Sequence, residues 1–144
     1  METTDLKVSI IGAGNMGGAI ARGLSKGTTV QASNIRVSDI SADHLQALQT
    51  FAPEISISRT NAEIIKDADI IILAVKPWLV ETVAKEIVHK IDYKKQIIVS
   101  IAAGVDFEKL SELFDTEASI FRVIPNTAID ILESVTTIAA QKAT

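Results

Sequence analysis

A short apolar run, Val8-Ser9-Ile10-Ile11, leads directly into Gly12-Ala13-Gly14-Asn15-Met16-Gly17, and a helical pattern leads out over about Asn15–Lys26. This order constrains the chain more than any other feature. Three glycines at this spacing, between a strand and a helix, have separate uses. The first permits a tight turn. The second lets the backbone approach a ligand with no Cβ in the way. The third lets the helix pack closely on the strand. Backbone N–H groups and the positive end of the helix dipole then face that ligand, which suits a phosphate. The segment from Ile11 through Gly12, Ala13, Gly14, Asn15, Met16 and Gly17 is therefore expected to hold the pyrophosphate of a nicotinamide dinucleotide. The alternative is a glycine turn with no ligand, and the strand–loop–helix context argues against it.

The rest of the chain alternates short apolar runs with helical patterns. Strands are expected at Lys7–Ile11, Ile35–Asp39, Ile55–Ser58, Asp69–Val75, Gln96–Ile101, Ile120–Ile124 and Val135–Ala139. The run Ile70-Ile71-Ile72-Leu73 is almost continuously apolar, as a strand buried on both faces of a parallel sheet requires. Helices are expected over Ala42–Phe51, from Thr60-Asn61-Ala62-Glu63 (a capping-box spacing) to Asp67, from Pro77 onward, and from an Asp106 cap to about Phe114. In the third of these, Leu79, Val83 and Ile87 mark an apolar stripe that Val80, Ala84 and Val88 widen. The β-α-β-α order implies an α/β fold: a Rossmann-type, doubly wound, mostly parallel sheet with helices on both faces. Right-handed crossovers put the loops after Ile11, Asp39, Val75 and Ile101 on one edge, where ligands of open sheets bind.

Composition removes several other classes. The 144 residues suit one domain, and 47% hydrophobic content argues against disorder. The net charge of -4, without a basic block, argues against nucleic acid or an anionic membrane as partner. The chain has no cysteine, so disulfides and thiol chemistry are excluded. His44 and His89 fall on different helical patterns and read as solvated, with no metal site. No run is long enough to cross a bilayer, and the first residues lack signal-peptide character, so a soluble, cytoplasmic protein is expected.

Asp39 closes the second strand at about the ~20-residue offset from the glycine loop expected of a ribose-binding acid. Its carboxylate would accept from the adenosine ribose hydroxyls and repel a 2′-phosphate. Ile40 follows, where an NADP-type loop often carries arginine; Arg36 lies within the strand. These residues favour NADH over NADPH. The other reading is that Asp39 or Ser41 simply caps the following helix.

Four segments together resemble the N-terminal domain of the pyrroline-5-carboxylate reductase family: Ile11-Gly12-Ala13-Gly14-Asn15-Met16-Gly17, Ala74-Val75-Lys76-Pro77, Ser100-Ile101-Ala102-Ala103-Gly104-Val105 and Arg122-Val123-Ile124-Pro125-Asn126-Thr127. The resemblance covers nearly all of the chain. The first segment is shared with many dehydrogenases; the Val-Lys-Pro and Pro-Asn-Thr segments are more specific in combination. The resemblance implies hydride transfer from NADPH or NADH to the C=N carbon of 1-pyrroline-5-carboxylate, giving L-proline. It implies that Ser38 and Asp39 face the adenosine ribose or its phosphate and that Asn61 contacts the adenosine part. Ala74, Val75, Lys76 and Pro77 would lie along the cofactor toward the nicotinamide, with Ala102, Ala103 and Gly104 beside it. Asn126 and Thr127 would lie near the nicotinamide and the substrate. Each assignment has a plainer counterpart: a helix cap for Asn61, a solvated lysine for Lys76, a small-residue turn for Ala102–Gly104, a self-bonded turn for Asn126. No residue is placed as a catalytic acid.

Two departures qualify the resemblance. Ala128 replaces the usual proline after Pro-Asn-Thr, and Leu132 and Ser134 stand where glycines are expected. Asp39 departs from the family's more common NADPH-type loop, so family habit and local electrostatics disagree and both dinucleotides are kept. The family's chain continues into a helical second domain that forms a homo-oligomer and supplies much of the substrate pocket. That domain is absent here, so an isolated cofactor-binding domain of little or no turnover is expected. Two further readings stay open: a related dehydrogenase for another substrate, such as a hydroxyacid or prephenate type, and a nucleotide-binding module without chemistry.

Overall fold

A computed structural model describes residues 6–27 and 30–123, with 131 and 133. The expected strand at Val135–Ala139, and Ile124 through Ala128 with Asn126 and Thr127, lie outside the described residues. The elements run β1 (Val8–Ile11), α1 (Asn15–Lys26), β2 (Ile35–Ser38), α2 (Ala42–Phe51), β3 (Ser56–Ser58), α3 (Asn61–Ile65), β4 (Ile70–Leu73), α4 (Val80–Ile87), β5 (Ile97–Ser100), α5 (Phe107–Leu113) and β6 (Ser119–Arg122). The strands form one sheet in the order β3-β2-β1-β4-β5-β6. Every pairing is parallel. Among the described residues, no helix is long and apolar enough to cross a membrane.

The period-2 alternation of a strand explains why β4 is apolar throughout. Ile70 and Ile72 point into one core with Val8, Ile10, Val37 and Val99, covered by Ile20 and Leu24 of α1 and Leu45 and Leu48 of α2. Ile71 and Leu73 point into the other core with Ile11 and Ile98, covered by α3, α4 and α5 through Ile64, Val83, Ile87 and Leu110. The sheet is thus a layer between two apolar cores, as the unbroken run predicts. Ser9 is the one polar residue of β1 and is fully buried. Its side chain falls on the α3 side, where the hydroxyl donates to the Ile64 carbonyl. A buried hydroxyl is tolerated there because it satisfies a carbonyl at the end of a short helix.

Three local expectations are corrected. The capping box at Thr60 does not form: the Thr60 side chain makes no cap bond. The Ser58 hydroxyl instead donates to Glu63 at 2.9 Å and accepts from the Thr60 N–H at 3.0 Å, so both box partners are diverted to β3. Helix α3 stops at Ile65, short of Asp67, which takes a left-handed φ of 62° as the chain turns into β4. After Pro77 a 3-10 turn, Pro77–Leu79, precedes the α-helix, which starts at Val80. That tighter turn rotates Leu79 to the surface, while Val80, Val83, Ala84 and Ile87 keep the buried stripe. The Asp106 cap is present: its carboxylate accepts from the Lys109 N–H at 2.8 Å.

Candidate dinucleotide-binding site

The sheet order reverses direction between β1 and β4, so a crevice opens at their carboxyl ends. The glycine loop occupies that crevice. Gly12 has a φ of +111°, and a Cβ there would sit 2.6 Å from the Ala74 carbonyl oxygen. Its N–H donates to the Ser38 carbonyl at 2.8 Å, and the Ala74 N–H donates to the Ile11 carbonyl at 2.8 Å. The turn is therefore stitched to both neighbouring strands. A Cβ on Gly17 would lie 1.8 Å from the Gly12 oxygen and 3.1 Å from the Ala74 Cβ, so this position admits glycine alone. A Cβ on Gly14 meets nothing within 4 Å. Among the described residues, the absence of a side chain at Gly14 therefore serves no close contact and leaves open space above the loop.

The same loop presents donors. Gly14 caps α1 without a side-chain bond, and the first helical bond runs from the Gly18 N–H to the Gly14 carbonyl at 2.8 Å. The N–H groups of Asn15, Met16 and Gly17 thus fall outside the helical ladder, at the positive end of a 12-residue helix. The Ala13 N–H is engaged elsewhere, donating to Asp39 Oδ2 at 2.7 Å. Open space above Gly14 beside ladder-free donors fits a pyrophosphate.

Asp39 sits at the carboxyl end of β2, as expected, but its oxygens turn toward the backbone. Oδ1 accepts from the Ser41 N–H at 2.7 Å, Oδ2 from Ala13, and His44 Nδ1 lies 3.5 Å from Oδ2. His44 is exposed yet not merely solvated. Ser41 caps α2 by accepting from the His44 N–H at 3.3 Å. Ser38 is fully buried, and its hydroxyl donates to Asn61 Oδ1 at 2.6 Å. Asn61 in turn donates from Nδ2 to Glu86 at 2.6 Å, so its amide is oriented by one group on the sheet and one on α4.

Along the other side, Ala74 and Val75 are half-buried and Lys76 is exposed, as the chain climbs out of β4 to the edge. Ala102 is buried, its N–H directed to the Ser100 hydroxyl at 3.4 Å, and Ala103 and Gly104 are exposed. A cleft of about 380 Å³ lies there, lined by Pro77, Trp78, Gly104, Val105 and Lys109 among others. A larger one, about 550 Å³, lies at the opposite edge beside Asp69 and Gln96, which precede β4 and β5. Strand direction, not cleft size, identifies the ligand edge.

Sequence reasoning missed Glu86 and Arg59. Glu86 reaches Asn61 from a different helix, with no local signal. Arg59 follows β3, and one of its terminal nitrogens donates to the Ile40 carbonyl at 3.0 Å. The strand order that the β-α-β pattern implies was the available signal, since it sets the ends of β2 and β3 side by side.

A six-stranded parallel sheet of this order, with an open glycine loop at its switch point, defines a Rossmann-type dinucleotide-binding protein. Residues 7–104 match the family described as NADP oxidoreductase, coenzyme F420-dependent, and the chain belongs to that family. It is 36% identical over 136 residues to a pyrroline-5-carboxylate reductase of Methanosarcina acetivorans, a match covering 94% of this chain and 50% of the relative. The solved structure of a pyrroline-5-carboxylate reductase from Coxiella burnetii superimposes with a TM-score of 0.80 at 26% identity, covering 89% of this chain and 47% of that one. That of the Plasmodium falciparum pyrroline carboxylate reductase with NADP bound superimposes with a TM-score of 0.75 at 25% identity, covering 91% and 46%. The resemblance carried by the four segments is borne out. The chain spans about half the length of the curated relatives it matches, or somewhat less.

Proposed function

We propose that this chain is the dinucleotide-binding half of a reductase that takes hydride from NADPH or NADH to the C=N carbon of 1-pyrroline-5-carboxylate, giving L-proline. The observation that carries the cofactor part is the space above Gly14, where an added Cβ would meet no atom of the described residues within 4 Å, next to the ladder-free N–H groups of Asn15, Met16 and Gly17. The substrate part rests on likeness to relatives named pyrroline-5-carboxylate reductase.

In this reading the glycine loop binds the pyrophosphate, and Asp39 and Asn61 flank the adenosine end. Ala74, Val75, Lys76 and Pro77 flank the path toward the nicotinamide on one side, and Ala102, Ala103 and Gly104 on the other. The bound dinucleotide supplies the hydride, and these residues supply position. Small residues at Ala74 and at Ala102–Gly104 leave room for a planar ring. We assign no proton donor to this chain, and we place the rest of the substrate pocket in a second, helical domain. Hydride transfer depends on holding the imine carbon against the nicotinamide, so these residues bind the dinucleotide and turn over little alone.

Fluorescence titration with NADH and NADPH tests the first statement, and an assay with 1-pyrroline-5-carboxylate the second. Binding of neither dinucleotide would overturn the cofactor reading. Turnover at the level of a complete enzyme would overturn the division of labour.

A further inference from the structure

We propose that Arg59 recognises the 2′-phosphate of NADPH, reaching the adenosine end of the site from the β3 edge. The inference rests on the dinucleotide reading above. In a Rossmann site the adenosine ribose lies at the carboxyl end of β2, and a nearby arginine accommodates a 2′-phosphate. The residue that follows Asp39 in this chain is Ile40, 79% exposed and without a group to offer an anion. The fold supplies what that position lacks. Parallel register pairs Ser38 with Ser58, and the Asp39 N–H donates to the Ser58 carbonyl at 3.3 Å, so the chain leaves β3 directly beside Asp39. Arg59 then folds back over the end of β2 and donates to the Ile40 carbonyl.

That backbone bond engages one terminal nitrogen of the guanidinium on a residue that is exposed. Among the described residues no carboxylate forms an ion pair with Arg59, so its charge is not already spent on one. Asp39, the obvious obstacle to a 2′-phosphate, is directed away from that role. Its side chain is 13% exposed, and its oxygens are held by the Ala13 and Ser41 N–H groups and approached by His44. Asp39 braces the glycine loop against the β2–α2 turn, while Arg59 presents the charge that faces solvent. Bidentate geometry makes arginine the fitting residue for a phosphomonoester.

The test compares dissociation constants of NADPH and NADH for the wild-type chain, Arg59→Ala and Arg59→Lys at low salt. Competition by adenosine 2′,5′-bisphosphate against adenosine 5′-monophosphate provides a second readout. Arg59→Ala is expected to raise the NADPH constant about tenfold, equivalent to ~1.4 kcal/mol, and to leave NADH within about twofold. Arg59→Lys should recover part of the loss, and added salt should shrink the wild-type difference. Arg59 is exposed, so circular dichroism and Tm should stay unchanged. An unchanged ratio in Arg59→Ala, or equal loss of both dinucleotides, overturns the inference while the cofactor reading stands. Binding of neither dinucleotide to the wild type overturns both.

Discussion

Gly14→Ala and Gly17→Ala should separate binding from folding within one loop. A methyl group at position 17 would overlap the Gly12 carbonyl, 1.8 Å from its oxygen and 2.8 Å from its carbon, where only backbone can yield. Overpacking of this kind costs roughly 1–3 kcal/mol, and rigid backbone puts this case at the upper end. For a chain of this size about 3 °C of Tm accompanies each kcal/mol, so a loss near 9 °C is expected. At position 14 the backbone is extended, with a φ of −73°, and the added methyl meets nothing within 4 Å. Reduced freedom of the unfolded chain stabilises such a change by about 0.4–1 kcal/mol, and loss of a tolerated glycine cap offsets part of that. Gly14→Ala should therefore unfold within about 2 °C of wild type. Its methyl occupies the space through which a pyrophosphate approaches the first turn of α1, so NADPH and NADH binding should weaken at least tenfold. Thermal unfolding followed by circular dichroism reads the first effect and cofactor fluorescence the second. A Gly14→Ala protein that unfolds as early as Gly17→Ala, or that binds both dinucleotides at wild-type strength, would refute the argument that Gly14 is kept open for a ligand.

Other substitutions probe the frame around the loop. Asp39→Ser removes the acceptor of the Ala13 and Ser41 N–H groups and should cost about 1.5 kcal/mol, the low end for charged hydrogen bonds. Because those oxygens face backbone N–H groups, the ratio of NADPH to NADH dissociation constants should stay within about twofold; a selective tightening of NADPH would return Asp39 to cofactor choice. Asn61→Ala strips the buried Ser38 hydroxyl of its acceptor and should lower urea stability by about 1–3 kcal/mol, whereas Glu86→Gln keeps an acceptor for Asn61 and should stay within about 0.5 kcal/mol. Tyr93 donates to the Val88 carbonyl at 2.7 Å, and burial pushes its pKa above the usual phenol range. The raised folded value means that this contribution is present in full below about 10 and is lost as pH rises through the folded pKa. Tyr93→Phe should cost about 1 kcal/mol at neutral pH and flatten that part of the alkaline decline in denaturant stability.

Much of the fold was legible because it depends on local pattern. Alternating apolar runs and helical stripes depend on neighbours one to four positions apart, so α1 and α2 begin and end where the pattern places them. Failures occur where a second local device competes with the one the pattern suggests. Thr60 and Glu63 have the spacing of a capping box, but the Ser58 hydroxyl lies within reach of both the Thr60 N–H and the Glu63 carboxylate. Leu79 has the spacing of the buried stripe, but Pro77 opens a 3-10 turn that rotates it outward.

The sequence by itself determined that a strand, a three-glycine turn and a helix follow one another, and that β4 is buried on both faces. Those statements need only backbone sterics and the side-chain periods of strands and helices. Tertiary structure alone decided which groups meet at the adenosine end. It turned Asp39 onto the glycine loop, set Asn61 between Ser38 and Glu86, and brought Arg59 over Ile40. The physical reason is that these contacts join the ends of different elements, and their partners are selected by strand order and register, not by position along the chain.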